Sequence, residues 1–172
     1  MSLVETYGVY AYGKEHEVKR HCLAPNLMIG GMVLNLDDGA HLDDLGITAQ
    51  IGLDTTLATR LNDLAHPSAE AVGPNAALLL SAPDDGKPKP VHWFHAGISF
   101  AFEHLDKGGK LYVHDELGGR RAQAMCYAIL RTYHRMEAHQ AFQRMWEDIP
   151  AFGGDPESVM YLMSAELAIA AY

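Results

Sequence analysis

The sequence is poor in cysteine and in positive charge, and it has no long apolar run. Its 172 residues include 2 cysteines, and 13 Lys+Arg against 22 Asp+Glu give a net charge of −9. Two cysteines exclude a disulfide framework and indicate a reducing compartment, which we take to be the cytoplasm. The acidic balance argues against nucleic acids and anionic membranes as partners, because both bind to a clustered positive field on a protein. Because there is no run of about 18 apolar residues and no basic leader followed by an apolar one, we expect neither a membrane span nor a signal peptide.

The remaining composition fits one folded domain. The chain has 48% hydrophobic and 20% charged residues. A chain of this size buries roughly 70% of the surface that its unfolded form exposes, so it needs no disulfide or structural metal to fold. No internal repeat or Pro/Gly/Ser linker divides it. We therefore predict a single domain over residues 1–172. His92 and His95 lie three residues apart, and His134, Glu137 and His139 lie close in sequence. Because no Cys or further carboxylate completes a recognisable metal-ligand spacing, we expect no metal and no cofactor.

Apolar runs of strand length alternate with segments of helical periodicity. Strands are predicted at residues 6–12, 27–29, 47–53, 76–82 and 110–114, with an irregular region before about residue 75. Helices are predicted as a short one before Gly46 and then at residues 91–105, from about 120, at 138–149 and at 156–171. This alternation is typical of a mostly parallel sheet of about four or five strands with helices on both faces.

One strand-to-helix junction carries the residue types that bind phosphate. The apolar strand ends at His114, and a glycine-containing turn leads to a helix that begins with Arg120 and Arg121. Backbone N–H groups at a helix start, the helix dipole and a guanidinium fork all favour an anion at such a place. The same residues also fit a plain strand-to-helix turn with solvated arginines.

The run from His114 to Arg121 resembles the signature loop of the Cys-dependent protein phosphatases, His-Cys-x5-Arg, and in particular that of the dual-specificity branch. The resemblance makes Arg121 the arginine that clamps phosphate and His114 a residue that supports the loop. Asp115 stands where the family has its cysteine nucleophile. The phosphate-binding loop implied in this way comprises Glu116, Leu117, Gly118, Gly119, Arg120 and Arg121.

Four further segments resemble the same family in the same order. They are APNLMIGG, GITAQIGL, the Asp-x-Gly-x-Pro segment from Asp84 to Pro88, and the Gly-Gly-Lys turn before the signature strand. The resemblance covers about residues 20–170 and implies an α/β, dual-specificity-phosphatase-like three-layer fold with a central mostly parallel sheet flanked by helices. It also places Asp84 at the general-acid position, although Pro, Asp and Gly equally suit an ordinary turn.

Two positions depart from the family pattern. In the family a thiolate of low pKa attacks phosphorus, and a hydroxyl after the arginine assists its departure. Here those positions hold Asp115 and Ala122. Loss of the primary nucleophile costs about 10⁶ in kcat in a protease, so we expect ordinary turnover to be absent or vestigial. Glu116 adds a second carboxylate, and we expect Asp115 to satisfy Arg121 and the loop amides in part.

These departures predict a pseudophosphatase, a catalytically impaired domain that keeps the pocket and binds a phosphorylated ligand, an inorganic anion or a protein partner. The main alternative is a protein-tyrosine or dual-specificity phosphatase that Asp115 inactivates in this chain or that is weakly active through Asp115. A third reading is an assembly module whose apolar C-terminal helix packs on a partner, although that helix also suits an internal core.

Overall fold

The structure, a computed structural model, describes residues 4–33, 36–54, 76–147 and 156–172. The strands are β1 (Val4–Ala11), β2 (Lys14–Ala24), β3 (Leu27–Gly30), β4 (Ala49–Gly52), β5 (Ala76–Leu79) and β6 (Leu111–His114). The helices are α1 (Leu36–Asp44), α2 (Val91–Leu105), α3 (Arg120–Thr132), α4 (Ala138–Phe142) and α5 (Pro156–Ala170). A π-helical segment, Gln143–Glu147, follows α4.

The described strands form a six-stranded sheet in the order β1-β2-β3-β6-β4-β5. The pairs β1–β2 and β2–β3 are antiparallel, whereas β3–β6, β6–β4 and β4–β5 are parallel. The central strands β3, β4 and β6 are buried along their whole length, as parallel strands are when both faces are covered. The predicted α/β fold with a mostly parallel central sheet is confirmed.

Helices cover both faces because successive side chains of a strand point to opposite sides. The odd-numbered residues of β3, β4 and β6 lie in the main core with α2, α3, α4 and α5. Met28 of β3 and Tyr112 of β6 point to the other face and pack with Leu42 of α1. The three layers that the sequence predicted are therefore present. Within the described ranges, no helix is both long enough and apolar enough to cross a membrane.

The N-terminal region forms a hairpin where the sequence predicted a single strand. The pattern predicts one strand at residues 6–12, but the structure has β1 and also β2, which brings the sheet to six strands. The many charged residues of β2 obscure the strand pattern, because four of its eleven positions are exposed and only three are buried. The buried Arg20 ties β2 to the sheet. Its guanidinium carbon lies 3.9 Å from the centre of the Tyr7 ring, and its Nε donates to Tyr112 Oη at 3.2 Å.

Several predicted boundaries also differ from the structure. The helix predicted at 138–149 ends as α4 at Phe142 and continues as the π-helical segment. There the Met145 carbonyl accepts a hydrogen bond from the buried Gln123 side chain at 2.6 Å, a tertiary contact that local periodicity does not reveal. The strands predicted at 47–53 and 76–82 shorten to β4 and β5. The irregular region before residue 75 and Ile149 lie outside the described residues.

The carboxyl ends of the parallel strands meet at one edge of the sheet. Gly31 follows β3, Leu53 follows β4 and Asp115 follows β6. Ligands of parallel α/β sheets bind outside the carboxyl ends of the strands. The fold therefore places the junction between β6 and α3 where a binding site is expected.

Candidate functional site

Asp115 organises the loop between β6 and α3. Its Oδ1 accepts backbone N–H bonds from Leu117 at 3.2 Å, Gly118 at 2.6 Å and Gly119 at 2.9 Å, and its Oδ2 accepts one from Ala122 at 3.1 Å. The first N–H groups of a helix have no partner within the helix. The N-cap residue of α3 is a glycine without a side-chain cap. The Asp115 carboxylate therefore fills the place that this helix start offers to an anion.

Arg121 points into the protein. Its Nη1 donates to the carbonyl oxygens of Leu53 at 3.2 Å and Ala82, and its Nη2 donates to the Glu116 carboxylate. Its Nε lies 3.9 Å from Asp115 Oδ2. Burial alone would lower the pKa of Arg121, but the nearby carboxylates, Asp115 foremost, raise it above its ordinary value. The sequence analysis expected Asp115 to satisfy Arg121 and the loop amides in part. The structure shows the amide bonds and the longer contact with Arg121, and Glu116 accepts the Arg121 side-chain hydrogen bond.

His114 supports the loop from inside the sheet. The fully buried ring has Nε2 at 2.9 Å from Gln50 Oε1 and Nδ1 at 3.2 Å from Asp54 Oδ1, and it stacks on Tyr112 at 5.3 Å between ring centres. These contacts fix the end of β6 and therefore the position of Asp115, which is the next residue. The sequence analysis missed Gln50 and Asp54. The available signal was a polar residue inside an apolar strand and another just after it.

Gly118 allows the loop to pass close to the end of β3. Its φ of 73° lies in the left-handed region, and a Cβ at this position would lie 2.8 Å from the carbonyl carbon of Gly30. Both the dihedral angle and the close approach require glycine.

We expect Gly118→Ala to lower the free energy of unfolding by about 2–3 kcal/mol, because strain and overpacking add. The measurement is urea unfolding. The matched control is Gly108→Ala, where φ is 80° and no atom lies within 4 Å of the added Cβ, so the cost is strain alone, about 1 kcal/mol. Equal losses in the two variants would contradict the close approach at Gly118.

Asp84 reaches the loop from the segment before α2. Its Oδ2 lies 3.4 Å from Arg120 Nη1, and its Oδ1 accepts a hydrogen bond from Tyr161 Oη of α5 at 3.0 Å. Tyr161 Oη also accepts the Gly86 N–H at 2.8 Å, and burial raises the pKa of Tyr161 to about 12. The structure thus brings the segment of Asp84 to the loop of Asp115. The sequence analysis missed Tyr161, because its role depends on how α5 packs.

A cleft of about 370 Å³ opens above the loop. Its lining includes Tyr12 in addition to six predicted site residues, which are Asp84, Asp115, Leu117, Gly119, Arg120 and Arg121. Two carboxylates and two guanidinium groups therefore balance in the lining. The buried carboxylate of Glu116 adds a negative charge behind it. The cleft lacks the excess positive charge that favours a phosphate.

No cluster of three or more metal-ligating side chains of the His, Cys, Asp and Glu types occurs in the described part of the chain. His95 instead has its Nε2 at 2.8 Å from the Ala168 carbonyl of α5, and this contact ties α2 to α5. The described residues around the cleft therefore offer hydrogen-bonding and ionic chemistry.

Comparison with curated proteins finds dual-specificity phosphatases. No protein-family model matches the chain. Dual specificity protein phosphatase 2 of Mus musculus is 29% identical over 101 residues, which are 59% of this chain and 29% of the relative. The matched stretch therefore spans less than a third of that relative's length.

Comparison with solved structures finds the same fold. The human tyrosine phosphatase-like serine/threonine/tyrosine-interacting protein has a TM-score of 0.68 and 21% identity, covering 89% of this chain and 98% of that chain. PTPMT1 in complex with PI(5)P has a TM-score of 0.67 and 19% identity, covering 88% and 97%. At these identities the likeness shows the fold. The chain thus has the fold of the dual-specificity phosphatases, and the resemblance to that family found in the sequence is confirmed.

Proposed function

We propose that this chain is a pseudophosphatase, a phosphatase-like domain that binds a protein partner and does not turn over phosphate esters. The observation that carries the proposal is the Asp115 carboxylate, which accepts four backbone N–H bonds from its own loop. A bound phosphate would need the same donors. A negative charge in the cradle also repels a phosphate ester. Arg121, one of the two arginines of the loop, is engaged by Glu116 and by backbone carbonyls.

One observation favours a residual phosphatase instead. Asp84 lies beside the cleft with its carboxylate between Arg120 and Tyr161, where it could protonate a leaving alcohol. In that reaction an Asp115 oxygen attacks phosphorus, the P–O ester bond breaks, Asp84 gives its proton to the leaving oxygen to form the alcohol, and water hydrolyses the acyl phosphate to free phosphate and the Asp115 carboxylate. Asp115 would first have to give up its N–H bonds, so we place this candidate second.

Turnover by the unmodified chain tests the proposal. We expect no release of phosphate from 4-nitrophenyl phosphate above that of the Asp84→Asn variant, because neither a thiolate nor an open cradle is present. Release by the unmodified chain that falls in Asp84→Asn would overturn the proposal in favour of the residual phosphatase.

Anion binding gives a second, independent prediction. We expect inorganic phosphate to raise the melting temperature of Asp115→Gly and leave that of the unmodified chain unchanged, because only the variant has free loop amides. Saturation to 100 times Kd corresponds to about 2.7 kcal/mol of stabilisation. Asp115→Asn is the matched control, since it removes the charge and keeps an oxygen on the amides. Equal stabilisation of the unmodified chain would contradict the self-filled cradle.

The proposal also includes the compartment of the protein, its domain organisation and the ligands of its loop. Cys22 and Cys126 are free thiols, which supports a reducing compartment and hence the cytoplasm. We propose one domain over residues 1–172, and we assign phosphorylated ligands and inorganic anions to the loop only once Asp115 is displaced or replaced. The PI(5)P complex of PTPMT1 supports the binding of phosphate-containing ligands by this fold.

A further inference from the structure

The cleft has an aromatic wall that the loop does not supply. Tyr12, at the tip of the β1–β2 hairpin, lines the cleft together with Leu117, and its side chain is 63% exposed. Burial and then the nearby carboxylate of Glu116 raise the pKa of Tyr12, in keeping with a position close to the charged loop. An aromatic ring and a leucine thus line the same cleft as Asp115.

The hairpin holds Tyr12 in an unfavourable backbone conformation. Its φ is 53° and that of Gly13 is 78°, in a two-residue loop between the paired Ala11 and Lys14. Two positive φ values are typical of a type I′ turn, which prefers Asn, Asp or Gly at its first position. The Tyr12 ring also makes an edge contact with the His16 ring at 6.3 Å between centres. Residues held in sparsely populated backbone conformations cluster at active sites and ligand clamps, which makes Tyr12 a candidate ligand contact.

The hairpin is fixed relative to the loop below it. Val9 of β1 and Val18 of β2 form a buried cluster with Met32, and Leu117 packs against that cluster. The Met32 N–H donates to the Glu116 carbonyl at 3.2 Å. The position of the hairpin tip over the cleft is therefore set by the fold before any ligand binds.

The Asp115 carboxylate in the cleft favours a ligand group that donates a hydrogen bond. A carboxylate accepts hydrogen bonds through two oxygens with about four lone-pair sites. Oδ2 of Asp115 has one backbone N–H bond, from Ala122 at 3.1 Å, and Arg121 Nε at the longer distance of 3.9 Å. A hydroxyl can donate to this oxygen, whereas a phosphate brings like charge against it. A cleft of about 370 Å³ is large enough for one aromatic side chain.

We propose that the cleft binds an unphosphorylated tyrosine side chain of a partner protein. The phenol hydroxyl donates to Asp115, the ring packs between Tyr12 and Leu117, and phosphorylation of that tyrosine blocks binding. This proposal rests on the proposed function, because it needs Asp115 to remain in the cradle.

Titrations of the full chain with small probes test the proposal. The probes are N-acetyltyrosinamide, its O-phosphorylated form and N-acetylphenylalaninamide, followed by NMR through the amide signals of Leu117 and Gly119. We expect the tyrosine probe to bind at least about tenfold more tightly than the phosphorylated one because of charge repulsion. We expect it to bind severalfold more tightly than the phenylalanine probe because of the hydroxyl. Equal or tighter binding of either competitor overturns the proposal.

Variants of Tyr12 and Asp115 test the contribution of each residue. Tyr12→Ala should weaken binding of the tyrosine probe about fivefold, the effect of one aromatic pair, whereas Tyr12→Phe, which keeps the aromatic ring, should leave that binding unchanged. Asp115→Gly should reverse the preference toward the phosphorylated probe. Unchanged binding by Tyr12→Ala, or an unchanged preference in Asp115→Gly, overturns the proposal.

The two proposals fail in different ways. Hydrolysis of 4-nitrophenyl phosphate by the unmodified chain overturns the pseudophosphatase and this inference together. An inactive chain that prefers the phosphorylated probe overturns this inference alone.

Discussion

The Asp115→Cys variant is expected to hydrolyse an aryl phosphate at least about 10³-fold faster than the unmodified chain. The N–H groups that now bind Asp115, such as those of Gly118 and Gly119, would surround the sulfur at the start of α3. Helix N-termini and neighbouring cations lower the pKa of a thiol and so raise its thiolate fraction. A primary nucleophile contributes about 10⁶ in a protease, and we expect only part of this range because Glu116 still engages Arg121.

The kinetic form of that gain is a second part of the same prediction. Ala122 stands where the family has the hydroxyl that assists departure of the thiolate, so the phosphocysteine should accumulate. Stopped-flow release of 4-nitrophenol should show a stoichiometric burst and then a slow steady state. Adding Ala122→Ser should raise the steady-state rate and leave the burst unchanged.

Asp115→Ser is the matched control for Asp115→Cys. Serine has the same shape, but its hydroxyl stays protonated in this loop, so it should give no burst. Adding Asp84→Asn to the cysteine variant should slow the burst, because the leaving 4-nitrophenolate then lacks an acid. A folded cysteine variant no faster than the serine variant would contradict a preserved active-site geometry.

The sequence predicted the loop because its information is local. The strand ending at His114, the two glycines and the paired arginines lie within eight residues. Their order predicts a strand-to-helix junction, which suits either an anion site or a plain turn. The central strands were also predictable, because buried parallel strands are short continuous apolar runs. The resemblance added Asp84, whose contact with Arg120 joins positions 36 residues apart.

The remaining parts of the site depend on tertiary packing. Tyr161 reaches Asp84 only because α5 packs beside the loop, 77 residues further along the chain. Tyr12 overhangs the cleft only because β2, which the pattern did not predict, pairs with β1. The sequence likewise does not indicate which of the two carboxylates, Asp115 or Glu116, accepts the hydrogen bond of Arg121. Glu116 does so because its carboxylate points inward with the guanidinium, whereas Asp115 is held by the amides.

The loop residues therefore contribute to the stability of the fold. Asp115 caps a helix whose N-cap residue has no side chain, and a carboxylate at a helix N-terminus is favourable. Arg121 joins the segments after β4, before α2 and after β6 through Leu53, Ala82 and Glu116. The resemblance makes Arg121 a phosphate clamp, but in this structure the Arg121 side chain links three parts of the fold.

Arg121→Met is accordingly expected to lower the free energy of unfolding by about 3–5 kcal/mol, the cost of breaking a buried ion pair by removing one partner. The substitution leaves the buried Glu116 carboxylate without its cation and the carbonyls of Leu53 and Ala82 without their donor. Urea unfolding followed by the fluorescence of Trp93 and Trp146, both buried, measures the loss.

Two comparisons show whether the loss has this origin. Arg120→Met is the matched control, because its side chain is 26% exposed and contacts Asp84 at 3.4 Å, so it should cost less than about 1 kcal/mol. Adding Glu116→Gln to Arg121→Met should recover part of the loss, since it removes the unpaired buried charge. If Arg121→Met cost no more than Arg120→Met, Arg121 would be directed at a ligand rather than into the protein. The loop would then be an open phosphate cradle, and the chain would be expected to bind phosphate without any change at Asp115.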